Sequence, residues 1–277
     1  MKKWLVSIVA VATLLVGSNA AHASEEFITV ENTPPCGSVM YPREFRADCG
    51  DTLEYLEDGS PESKTVRIHG MVKDWMGYYV PMTFTGTGFF IKDGYVVTAQ
   101  HVVDNTKPGS RLFIEEYNNP GIFIEVQVVD KNANLDLAVL KTPLEDHPYF
   151  EIADSVSQGE AIYVVGNTHN TRYEKHSGVV QELSKYTPIG RANEPLLSQY
   201  YRTISSVLVI GGFSGGPAFN DEGEIIGVNI ASLEGVYSVQ TRLQDLDSYV
   251  TDNAAPRVIR GTVTAVNEAA VAAVPDK

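Results

Sequence analysis

The chain has 277 residues, 35 of them acidic against 21 Lys and Arg, for a formal net charge of −14 at pH 7. A surface that acidic is repelled by phosphate backbones and anionic headgroups, which excludes nucleic acid and anionic lipid as electrostatic partners. The length suits one large all-β unit or two small barrels sharing a site.

The chain opens with MKKWLVSIVAVATLLVGSNAAHA. Lys2 and Lys3 precede an apolar stretch from Trp4 to Val16, and Ala21-His22-Ala23 has the small-x-small form of a cleavage site. This is the layout of a secretory signal peptide over residues 1–23, and its apolar run is short of the ~20 residues that span a bilayer. Cleavage after Ala23 leaves 254 residues; losing two lysines and no acid takes the charge to −16. The mature product is expected to be exported, periplasmic or secreted, with no membrane anchor. Residues 24–63 are rich in Pro, Asp, Glu and Gly without a sustained period, and predict a mostly irregular extension. It holds both cysteines, Cys36 and Cys49. In an exported chain they are expected to pair, a staple contributing roughly 3 kcal/mol in the loop-entropy model.

From Lys64 the texture changes. Short runs follow one another: TVRIHGMV, YYVPMTFTGTGFFI, GYVVTA, RLFIEEY, IFIEVQVVD and LDLAVLK, divided by Gly, Asn, Asp and Pro. Alternation in IEVQVV and LDLAVL predicts strands with one buried face, and hence an antiparallel barrel over about 64–145. A polar connector from about Pro143 to Ser157 follows. Strands resume in AIYVVG, HSGVVQEL, YYRTISSVLVI, EIIGVNI and VYSVQT, predicting a second barrel over about 158–250. After Thr241, Leu243, Leu246 and Val250 share one helical face, so a short C-terminal helix closes an all-β pair of barrels. Residues 251–277 form a tail without assignment.

Gly211 to Phe219 reads GGFSGGPAF. A glycine cluster between two strands is by itself a turn. Ser214 becomes a nucleophile only if a histidine takes its proton and a buried carboxylate orients that histidine. His69, His147, His169 and His176 have no distinctive local frame. His101 does: it follows a strand ending in Thr98-Ala99, within TGTGFFIKDGYVVTAQHVV.

Three blocks then align. Gly86-Thr87-Gly88-Phe89 with Thr98-Ala99-Gln100-His101-Val102-Val103, Asp136 in NLDLAVLK, and Gly212 to Pro217 resemble the trypsin-like serine proteases, in particular the bacterial HtrA/Deg branch. The order His, Asp, Ser, at spacings of 35 and 78 residues, carries the resemblance. It covers roughly residues 65 to 250. It implies two six-stranded antiparallel barrels of the chymotrypsin type, with His101 as general base, Asp136 orienting it and Ser214 as nucleophile. The backbone N–H groups of Gly212 and Ser214 would form the oxyanion hole, and Leu208, Val228, Asn229 and Ile230 would wall the substrate pocket. Asp130 is the alternative acid. The implied activity is that of a serine endopeptidase on protein or peptide substrates, with no metal or organic cofactor; no cluster has zinc spacing and no phosphate loop occurs.

The chain departs from the family at defined points. Phe213 stands where trypsin relatives carry Asp and the HtrA branch usually Asn, so it cannot accept the charge of a newly cut N-terminus. Gln100 replaces a common Ala. Leu208 stands where digestive trypsins keep a pocket aspartate, which implies cleavage after small or medium aliphatic residues. Relatives carry peptide-binding PDZ domains, and the 27 residues after position 250 are too few for one; oligomeric state stays open. Phe213 leaves a second reading: a catalytically impaired homologue that binds peptides or a partner through the same cleft. A third, a β-rich exported structural module, ignores the aligned triad.

Overall fold

The computed structural model describes residues 29–31, 59–75, 79–106, 108–168, 171–187 and 201–254. The expected signal peptide, the Cys36 and Cys49 pair and most of the 251–277 tail lie outside the described residues.

Barrel one is built from β2 (Thr65–Lys73), β3 (Tyr79–Lys92), β4 (Tyr95–Thr98), β5 (Arg111–Glu116), β6 (Ile122–Asn132) and β7 (Leu137–Lys141). All neighbours are antiparallel, and the β6–β7 pairing closes the ring. A short β1 (Thr29–Glu31) also pairs with β6, with Thr29 opposite Ile124. Part of the extension read as irregular therefore lengthens this sheet. Barrel two closes through β8 (Ala161–Gly166), β9 (Glu174–Tyr186), β10 (Tyr201–Ser205), β11 (Pro217–Phe219), β12 (Ile225–Leu233) and β13 (Tyr237–Gln240). Two six-stranded antiparallel barrels result, as the strand-and-turn spacing and the resemblance implied. Among the described residues no helix is long and apolar enough to cross a membrane.

One apolar core runs through both barrels, joining Ile68, Phe89 and Val97 of the first to Phe219, Val228 and Ile230 of the second. The connector is irregular in backbone but anchored in this core. Phe150, 1% exposed, meets the Phe89 ring edge-on and lies tilted against Phe219, each at 5.7 Å. Its amide bonds to the Phe90 carbonyl of barrel one, while the Ala153 amide bonds to Ile225 of barrel two. The terminal helix α2 (Leu243–Asn253) buries Leu246, Tyr249 and Val250, each contributing roughly 1.5–3 kcal/mol of apolar burial. Arg242 braces its first turn with two bonds to Asp245. The Tyr249 hydroxyl reaches Asp130 on β6 at 2.9 Å, so α2 is tied to the first barrel.

β2 departs from simple alternation. Val66 and Ile68 enter the core, yet Arg67 and His69 on the opposite face are also buried. The connection between β8 and β9 crosses from barrel two to cover them. Glu115, 1% exposed, receives Nε2 of His69 at 3.0 Å and Arg172 of that connection at 3.0 Å, with Arg67 at 3.6 Å. The Tyr173 hydroxyl donates to the Glu115 carbonyl at 2.9 Å. Burial by itself raises the Glu115 carboxyl, but the bond from His69 and the charges of Arg172 and Arg67 outweigh it and hold the group well below its usual value. Burial holds the His69 pKa down; a neutral ring still donates its Nε2 proton, and the two guanidiniums more than offset the single carboxylate charge.

The sign of the acid response follows. A carboxyl with a depressed folded-state pKa supplies stability that is complete above its ordinary value of about 4.5 and drains as pH falls below it. In denaturant titrations from pH 7 to pH 3, Glu115→Gln is expected to start about 3–5 kcal/mol less stable, because it strands buried guanidinium charge. It should also lose stability less steeply than the parent below pH 4.5; parallel slopes would remove Glu115 as the source.

Candidate active site

β4 ends at Thr98, and the chain turns at once into a five-residue helix, α1 (Gln100–Asp104). Gln100 binds Asp104 across this single turn at 2.7 Å, and Lys131 reaches the other Asp104 oxygen at 2.6 Å. Burial raises the Asp104 carboxyl, but these two donors outweigh it and the pKa falls. The unusual Gln100 thus stitches the turn that carries His101.

Asp136 grips that turn from the other side. Its Oδ2 lies 2.7 Å from Nδ1 of His101, its Oδ1 accepts the His101 amide at 3.0 Å, and its carbonyl accepts the Gln100 amide at 3.2 Å. A carboxylate only accepts, so Nδ1 carries a proton, and in the neutral ring Nε2 then presents a lone pair. Asp136 has φ of 56°, a left-handed conformation that costs an L-residue roughly 1–2 kcal/mol and that Asp tolerates better than most. Its loop is held in turn: Asn132 Oδ1 caps the amides of Asn134 and Leu135, and the fully buried Arg202 of barrel two donates to the Asn134 carbonyl at 2.9 Å. The alternative acid, Asp130, is bound to Tyr249 instead.

The Ser214 turn comes from barrel two, and its Gly215 packs closely against Thr87, Thr98 and Ala99 of barrel one. A Cβ on Gly215, whose φ is +83°, would collide with the Thr87 carbonyl and the Thr98 hydroxyl and crowd the Ala99 amide. Gly86 lies between the Ser214 carbonyl and the Val102 side chain. Only residues without a Cβ allow this approach.

The three peptides from Gly212 to Gly215 have defined partners. The Gly212 carbonyl accepts from Thr87 Oγ1 at 2.8 Å, while the next amide, Phe213, donates to Ile210 at 3.2 Å. The Phe213 carbonyl accepts from Asn229 Nδ2 at 3.1 Å and from Gly216 at 3.0 Å. The Ser214 carbonyl accepts from the Thr87 amide at 2.9 Å, and Gly215 donates to Asn229 at 2.7 Å. The amides of Gly212 and Ser214 donate to no group among the described residues.

Phe213 itself is fully buried, against Gly166 and within 4.9 Å of the His176 ring. His176 Nδ1 bonds to the Leu208 carbonyl. Of the expected pocket residues, Leu208 is 55% exposed, whereas Val228 and Ile230 are core residues and Asn229 is committed to the Ser214 turn. The four do not share one surface. The bracing by Thr87 and Arg202 is not legible in the sequence: Thr87 lies inside the Gly86-Thr87-Gly88-Phe89 block, but nothing local marks its hydroxyl as a clasp. Among the described residues no group of three or more His, Cys, Asp or Glu gathers to hold a metal.

Comparisons place the chain. The family model for the trypsin-like peptidase domain matches residues 86–228. A probable periplasmic serine endoprotease, DegP-like, of Hahella chejuensis is 31% identical over 149 residues, covering 52% of this chain and 29% of that protein. The periplasmic serine endoprotease DegP of Escherichia coli K12 is 27% identical over 212 residues, covering 74% of this chain and 42% of that protein. The chain thus spans less than half the length of these relatives. Among solved structures, the MamO protease domain of Magnetospirillum magneticum shares the fold, with a TM-score of 0.54 at 22% identity, covering 68% of this chain and 96% of that one. With the family model spanning more than half of the sequence, this chain belongs to the trypsin-like peptidase domain family, and it is similar to DegP-type serine endoproteases along that span.

Proposed function

We propose that this protein is an exported serine endopeptidase that cleaves peptide bonds through Ser214, His101 and Asp136. The observation that carries the reading is the His101–Asp136 bond at 2.7 Å, which in the neutral ring leaves Nε2 able to accept a proton. The serine hydroxyl attacks the scissile carbonyl as His101 Nε2 takes its proton. Asp136 holds the tautomer and stabilises the imidazolium that forms. The unengaged amides of Gly212 and Ser214 receive the developing oxyanion, one such donor being worth about 3 kcal/mol of barrier. His101 returns the proton to the leaving amine, and water then hydrolyses the acyl-enzyme by the same steps in reverse.

Cleavage after small or aliphatic residues is supported by the apolar Leu208 and by the lack of any carboxylate from Val207 to Phe213. A periplasmic location is supported by the similarity to periplasmic endoproteases and by the signal-like start of the chain. Phe213 sits in apolar packing and its side chain offers an ammonium no carboxylate, which supports a mature domain active without N-terminal trimming.

A fluorophosphonate probe is expected to label the parent protein and to fail on both Ser214→Ala and His101→Ala. Labelling that survives either change refutes the triad, and a folded parent that takes no label favours the peptide-binding homologue. Asp136→Asn, which permits the wrong histidine tautomer, should lower peptide turnover about 10³- to 10⁴-fold with the fold intact. Protein beginning at Ser24 should turn over an ester substrate directly; turnover only after further trimming would mean that Phe213 does not remove the need for activation.

A further inference from the structure

The two proposed oxyanion donors are not held equally. The Ser214 amide belongs to the Phe213–Ser214 peptide, whose carbonyl is fixed by Asn229 Nδ2 and the Gly216 amide. In a planar trans peptide the N–H points opposite to the carbonyl, so this donor is aimed by two bonds on its far side. The Gly212 amide belongs to the Gly211–Gly212 peptide, and neither end of that peptide has a partner among the described residues. It lies between two glycines, the residues that resist rotation least, and Gly212 has φ of +105°. The nearest peptide that hydrogen bonds hold, and so the one that sets where this donor starts, is the following one, Gly212–Phe213.

That peptide is clamped from barrel one. Thr87 is fully buried, and its Oγ1 lies 2.8 Å from the Gly212 carbonyl and 3.0 Å from the Asn167 amide. The roles are unambiguous without seeing a hydrogen. An amide N–H can only donate, so Oγ1 accepts from Asn167; a carbonyl can only accept, so the single hydroxyl proton goes to Gly212. The Thr87 amide also holds the Ser214 carbonyl, so one residue grips the turn on both sides of Phe213.

Given the reading of Gly212 and Ser214 as oxyanion donors, we infer that the Thr87 hydroxyl is a positioning residue for transition-state stabilisation: it aims the Gly212 N–H. It touches neither substrate nor the reacting atoms. Its loss lets the Gly212–Phe213 peptide rotate and carries the donor amide out of line, while the nucleophile, the base and the substrate groove stay in place.

Thr87→Val keeps the volume and removes the hydroxyl; Thr87→Ala serves the same comparison should valine not fold; Thr87→Ser restores the bond. With the fold checked by melting temperature, valine is expected to lower kcat about 10- to 100-fold with KM within about threefold, the size of effect a misplaced donor produces. A peptidyl trifluoromethyl ketone, whose adduct carries the oxyanion, should lose affinity in step with kcat/KM. Thr87→Ser should recover most of both. A purely structural role would lower melting temperature without this split. Folded Thr87→Val or Thr87→Ala with kcat within twofold of the parent, or a loss that serine fails to rescue, overturns the inference and leaves the triad standing. A parent protein with no Ser214-dependent turnover removes the triad and this role together.

Discussion

The candidate site exists only while the Thr87 strand of one barrel and the Ser214 turn of the other stay in register. The hydrogen bonds between them are worth about 1 kcal/mol each in net terms, too little to dock two barrels. Docking comes from the apolar core that runs continuously from Ile68 and Phe89 to Phe219 and Ile230, with Phe150 of the connector wedged between. The division of labour is clear: apolar area holds the halves together, and a few directional bonds decide how they are rotated. Gly86 and Gly215 set the closeness, because any side chain at either position would force the seam apart.

Polar groups buried along the same seam act as alignment points rather than as net sources of stability. Glu115 gathers His69, Arg67 and Arg172 where the β8–β9 connection crosses barrel one. Arg202 reaches back to Asn134, two residues before Asp136, and Tyr249 fastens α2 to Asp130. Ion pairs of this kind roughly break even against the desolvation they require. Their bonds are directional, however, and that of Arg202 holds the loop that carries Asp136.

Phe213 illustrates a substitution absorbed by its surroundings. A polar residue before the serine could brace the turn by its own side chain. Phenylalanine instead fills the space beside Gly166 and His176 with apolar contact, and the bracing passes to backbone carbonyls held by Thr87 and Asn229. Asn229 was expected to wall a pocket on the strength of its strand; its amide is spent on the turn. Val228 and Ile230 likewise serve the core.

What could be read directly from the chain were patterns of short range and fixed period. Alternating runs with turn residues between them announced the strands of both barrels, the spacing of Leu246 and Val250 announced the closing helix, and three motif blocks in order announced the family. These are legible because side-chain period and turn chemistry are local properties of the backbone. The short β1, the burial of Arg67 and His69 on the outer face of β2, and the grip of Thr87 on Gly212 were not, since each depends on a partner far away along the chain. For Thr87 and Gly212 that separation is 125 residues. A hydroxyl carries no mark of what it will meet. Only the closed barrels, pressed together by their shared core, settled which carbonyl receives its proton.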